Sequence, residues 1–191
     1  MELTIFYSAF VGTLLSVVLL TNLARIEHDP LKPRTLSQLA SQSIKLINRF
    51  RLTLLICGSL FAVTMYFLII PAAKKPMPLL FSWSIYYLSV LLLALFPDRS
   101  GVQKILHNIF AYLMGITMLI TVALLISVVS GTYRLAEIGI LLAMCSLSLL
   151  TIIDKKRFIF YELPFIYLSH LSILAAAISV RWMFPVARTT G

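Results

Sequence analysis

Charge is scarce in this chain. Of its 191 residues only 12% are Asp, Glu, Lys or Arg, while 60% are hydrophobic. Soluble domains carry about 25% charged residues, and a soluble protein of this length has too little interior to hide so much apolar surface. Hydrocarbon, not a water-excluding core, is left as the solvent. Cysteine is nearly absent. Cys57 and Cys145 sit inside apolar runs without C-x-x-C spacing, so they read as small apolar residues and not as a redox pair or a metal cluster. The chain also has no H-E-x-x-H, no G-x-S-x-G and no phosphate-cradling glycine loop. It thus lacks the sequence marks of a zinc-protease helix, a nucleophile elbow and a P-loop. No 20–50-residue repeat is visible.

Acidic residues are few, 7 against 16 Lys and Arg, for a formal net charge of +9. The basic residues lie in short segments between apolar runs, which is how membrane proteins carry the charges that orient them. Nucleic acid is therefore not an expected partner; the lipid bilayer is.

What the chain does contain is long uncharged runs. A helix needs about 20 apolar residues to cross the hydrocarbon. The runs predict an all-α polytopic bundle, a single transmembrane domain with spans near 3–24, 52–73, 77–97, 105–130, 135–153 and 163–182. The first run lacks a basic leader segment and reads as a retained helix. Pro164 suits the first turn of the sixth span. Arg134 and Glu137, three apart, are expected to pair at an interface, and Trp83 and Trp182 to lie in one aromatic belt. Ser8, Gly12 and Ser16 form a small-residue stripe suited to close helix packing. With the amino terminus outside, Arg25, Lys32, Arg34, Lys45, Arg49, Arg51, Arg99, Lys104, Lys155, Lys156 and Arg157 fall inside. Lys74, Lys75, Arg134, Arg181 and Arg188 fall outside. The excess of basic residues inside predicts both termini on the outer side.

The longest connection holds Thr35-Leu36-Ser37-Gln38, a capping-box pattern. Apolar residues then recur near helical spacing, with Lys45 and Arg49 between them. Residues 35–50 read as an amphipathic helix on the inner surface, or as an extension of the second span.

Polar groups inside a bilayer are the first places to seek a site. The candidates are His28, Asp29, Asp98, His107, Asn108, Glu162 and His170, most of them toward the inner face. Asp98, His107 and His170 are the candidate catalytic set. Three His with a carboxylate would suit a zinc ion with an open position for water. Depth decides whether they can share one. At 1.5 Å per residue, His170 lies roughly 9 Å into a helix starting at Pro164, but roughly 18 Å into one starting at Phe158. Without a metal, His170 is expected to bond a neighbouring helix, and His107 to cap its loop.

Phe96-Pro97-Asp98-Arg99-Ser100-Gly101, followed by His107-Asn108, resembles a pattern in bacterial six-helix membrane proteins of unknown function. Those are similar in turn to the DRAM-like and GPI-remodelling membrane families. Leu36-Ser37-Gln38-Leu39-Ala40 resembles their segment after the first span. The resemblance implies a six-helix bundle in a bacterial inner membrane, with Asp98 and His107 as functional positions. It implies no settled activity or cofactor.

These features favour a non-catalytic membrane component or accessory subunit, with a protein partner or a second copy of itself. An intramembrane lipid hydrolase is the alternative. A small transporter or channel is the third reading, and no pair of spans broken by central Gly or Pro supports it. The sidedness is testable in a cysteine-free background. Lys75→Cys should react with a membrane-impermeant maleimide on intact cells, and Lys45→Cys only after permeabilisation; the reverse pattern would invert the topology.

Overall fold

The computed structural model describes residues 2–26, 35–98, 101–154 and 158–183. Among them there are helices and no strand. Helix α1 is Glu2–Ile26 and α2 is Leu36–Ala40; α3 runs from Ile44 to Ala72. After them come α4 (Pro76–Leu95), α5 (Val102–Leu125), α6 (Gly131–Ile153) and α7 (Phe158–Met183). Six of these, all but α2, are long and apolar enough to cross a membrane. The chain is a multi-pass, all-α membrane protein.

The six long helices close into a ring in chain order. α1 packs on α3, α3 on α4, α4 on α5, α5 on α6, α6 on α7, and α7 returns to α1. From α3 to α7 the short connections force this, because consecutive helices must then run antiparallel side by side. α2 tucks against α1 and α3 at one end of the ring, here called the α2 end.

Local chemistry sets the ends. Thr35 caps α2 reciprocally: its Oγ1 accepts from Gln38 N at 3.1 Å, and its own N–H donates to Gln38 Oε1 at 3.2 Å. Ser43 Oγ accepts from Leu46 N at 3.2 Å and starts α3. So 35–50 is not one surface helix. It is a short buried helix, a turn, and the first turns of a span that begins at Ile44 and not at residue 52. The reason is burial: Leu36, Leu39 and Ala40 are almost wholly covered, with Leu36 and Ala40 packing against Leu20, Leu23 and Leu46. Near its other end α3 contains one π turn, Met65–Ile69, where Ile70 N–H bonds Met65 O; Pro71, which has no N–H to continue an α ladder, follows at once. Gly101 starts α5 at φ +65°, a conformation residues with a side chain rarely adopt. α7 begins at Phe158, which places Pro164 in the second turn and not at the helix start.

Small and hydroxylic residues hold the helices together, as they do where lipid removes any hydrophobic drive between helices. Ser8 Oγ meets Thr64 Oγ1 at 2.8 Å. Ser82 Oγ reaches Thr117 O at 3.0 Å and Thr121 Oγ1 at 2.9 Å. Thr21 Oγ1 meets Tyr167 OH at 2.6 Å. Gly12 lets α1 approach α3, since a Cβ there would lie 3.2 Å from Leu60 Cβ. The main core fills the far half of the ring with Phe61, Met65, Ile69, Trp83, Met118, Val122, Met144 and Ile173. Trp83 is thus no belt residue. It is fully buried, its ring 4.8 Å from that of Tyr86, whereas Trp182 is 76% exposed. α6 is the most peripheral helix, with only 11% of its apolar window buried.

Trp83→Ala should cost about 3–5 kcal/mol in reversible detergent unfolding, the usual range for emptying a buried Trp site. Gly12→Leu should cost about 1–3 kcal/mol by overpacking. Wild-type stability in both variants would contradict this packing.

Candidate functional site

The ring is not filled at the α2 end. A cavity of about 580 Å³ opens between the main core and α2, within the range of small-molecule sites. All six long helices and α2 contribute to its wall. Its body is apolar: Leu54, Cys57, Phe61, Val90, Met114, Leu119, Phe165 and Ile166. Thr35, Ser37, Gln38, Asp98, His107, Asn108, Tyr161 and Glu162 also line it. All eight belong to the α2-end termini of their helices or to the adjoining turns.

The cavity reaches the side of the ring. Tyr112 and Ile116 on α5 and Ile152 on α6 belong to its wall, yet are 72%, 57% and 69% exposed. The wall thus reaches the outer surface of the ring beside α5 and α6, the side on which a lateral mouth would meet acyl chains. Gly115 sits beside it, with nothing within 4 Å of where a Cβ would be.

The α4 carboxy terminus ties the polar end together. Its last carbonyls lack intrahelical donors. Arg51 Nη2 donates to Leu95 O at 3.2 Å, and His107 Nδ1 to Phe96 O at 2.8 Å. His107 is therefore a helix cap, the residue 4% exposed. Asp98 is 8% exposed and takes no hydrogen bond among the described residues. Glu162 Oε2 accepts from Leu36 N at 2.9 Å, so α7 caps α2.

His170 stands apart. α7 starts at Phe158, so His170 lies twelve residues in, roughly 18 Å along the axis. His107 is five residues into α5, roughly 7.5 Å. The two rings thus share a cavity at different depths. His170 stacks on Phe61 with centroids 4.5 Å apart, and its Nδ1 is buried without a partner. The interhelical hydrogen bond expected of it is not made among the described residues.

Asp98, His107 and His170 thus line one cavity without forming a cluster. Among the described residues no three His, Cys, Asp or Glu side chains come close enough to hold a metal ion. A zinc centre built on these three is overturned by the depth of His170. His28 and Asp29 lie outside the described residues. Of the wall serines, Ser148 Oγ donates to its own helix at Met144 O, 2.9 Å away, and Ser16 Oγ is buried without a partner.

One buried carboxyl was hidden by the expected Arg134–Glu137 pair. Arg134 instead donates to Val129 O through Nη2 at 3.1 Å and Nε at 3.3 Å. Glu137 turns inward, fully buried, and accepts from Ser172 Oγ at 2.6 Å, with Oε1 unpartnered. It is not part of the cavity wall. Its position six residues into a spanning helix was the available signal.

No protein-family model, curated protein or solved structure matches this chain.

Ser172→Ala should cost about 1–3 kcal/mol, because it leaves a second Glu137 oxygen unpartnered in an apolar core. Glu137→Gln, which keeps an acceptor for Ser172, should cost less. Equal stability of the wild type and Ser172→Ala would show that the contact carries no weight.

Proposed function

We propose that this membrane protein binds a single lipid or lipid-like amphiphile in the cavity, without transforming it. One observation carries the reading: an apolar chamber has polar groups at one end and a wall that reaches the outer surface of the ring beside α5 and α6. A lipid has the same polarity. Its chain would lie against Phe61, Met114, Leu119 and Phe165, and its head among Asp98, Asn108, Tyr161 and Glu162. An amphiphile could pass between α5 and α6 without its chain crossing water.

Binding without chemistry is favoured because, among the described residues, no Ser, Thr or Cys of the wall hydrogen-bonds a His or a carboxyl group. His107 caps α4 and His170 stacks on Phe61. Acyl transfer needs a nucleophile within hydrogen-bond reach of a base. The Ser–carboxyl contact of Ser172 and Glu137 is fully buried and away from this cavity. The role that fits is a lipid-binding membrane component, acting alone or as an accessory subunit. The distribution of basic residues supports both termini on the outer side of the membrane.

A bulky residue at the open glycine tests this. Gly115→Trp adds a bulky side chain at a wall position where a Cβ meets nothing within 4 Å. In phosphatidylcholine nanodiscs, wild type should retain a photoactivatable lipid probe saturably, with labelled peptides from α5, α6 and α7. Gly115→Trp should lower that labelling at least tenfold with an unchanged melting temperature. Undiminished labelling in the variant, or none in the wild type, would defeat the reading. Cleavage of an ester-linked probe during incubation would instead establish the hydrolase alternative.

A further inference from the structure

Resting on the lipid-binding reading, the geometry points to an uncharged amphiphile with a hydroxyl-bearing head as the occupant, and against an anionic phospholipid or fatty acid. Charge is the first reason. The chain carries 16 Lys and Arg against 7 Asp and Glu, yet no Lys or Arg is among the described residues of the cavity wall. The charged residues there are Asp98 and Glu162. Arg51 donates to Leu95 O through Nη2, has its Nε buried without a partner and lies outside the wall, while Lys45, Arg49 and Lys104 are exposed. Phosphate and carboxylate sites are built from Arg, Lys and aligned N–H donors. Two carboxyl groups offer an anionic head no cationic partner, and any negative charge they carry opposes one.

The donor and acceptor inventory is the second reason. A phosphate accepts only, and an ammonium donates only. The wall offers both kinds of partner. Asp98 and Glu162 supply acceptor oxygens, Tyr161 and Ser37 bring hydroxyls, and the Asn108 amide both donates and accepts. A hydroxyl suits such a mixed wall, since it donates and accepts at once. Asp98 matters most: it takes no hydrogen bond among the described residues, and its oxygens are not closed off by protein, so a head-group hydroxyl would donate to them.

The test compares two photoactivatable probes of the same chain length, a monoacylglycerol and a free fatty acid. Each is offered to the full chain in phosphatidylcholine nanodiscs, and cavity-wall peptides are quantified by mass spectrometry. The monoacylglycerol should label them at least tenfold more than the fatty acid. Asp98→Asn and Glu162→Gln keep the wall's shape, and the amide oxygen introduced by Glu162→Gln still accepts from Leu36 N; each should raise fatty-acid labelling at least threefold. Equal or stronger labelling of the wild type by the fatty acid would overturn the head-group assignment while leaving lipid binding intact. A wild-type preference that neither variant shifts would overturn the role given to the two carboxyl groups. Labelling by neither probe would remove the lipid reading itself, and this inference with it.

Discussion

Inside a bilayer there is no water to satisfy a polar group, so each one must find its partner in the protein or remain costly. That constraint shapes the whole molecule. It makes the spans helical. It also explains why Ser8, Thr21, Ser82 and Thr121 reach across to neighbouring helices, and why Ser146 and Ser148 fold back on carbonyls of their own helix. Against that background the unmet groups stand out. His170 Nδ1 and Ser16 Oγ are both buried without partners on residues that line the cavity.

The cavity follows from how the ring closes. Far from α2, large side chains such as Trp83, Phe61 and Met118 fill the space between helices. α3 has 29 residues, roughly 43 Å of helix against a hydrocarbon thickness of about 30 Å. Toward α2, Glu162, Asp98 and the α2 capping box line a space no side chain fills, and exposed residues of α5 and α6 border it at the side.

Six spans were legible because hydropathy reports on lipid contact directly, residue by residue. The capping box at Thr35 was legible for a similar reason, since its residues contact one another. Asp98 and His107 stood out as polar groups at the edges of apolar runs, and both line the cavity. The errors arose where the partner lies on another helix. Glu137 was paired with Arg134 because they are three apart, but Ser172, 35 positions away, takes it inward. Trp83 was given to the membrane belt from its type and its place near a helix end, and the core claims it instead.

The sequence by itself therefore determined solvent, secondary structure and span number, because each depends on composition and spacing within a single run. Only the tertiary structure decided which polar groups face one another. It put His170 deep on α7 with Phe61 stacked against it, turned Glu137 toward Ser172, and left one chamber unfilled beside α5 and α6. The physical reason is rotational. A helix whose faces are nearly equally greasy can turn about its axis at little cost in lipid. Its orientation is set by the few small and hydroxylic contacts made with its neighbours, and those are not written in its own residues.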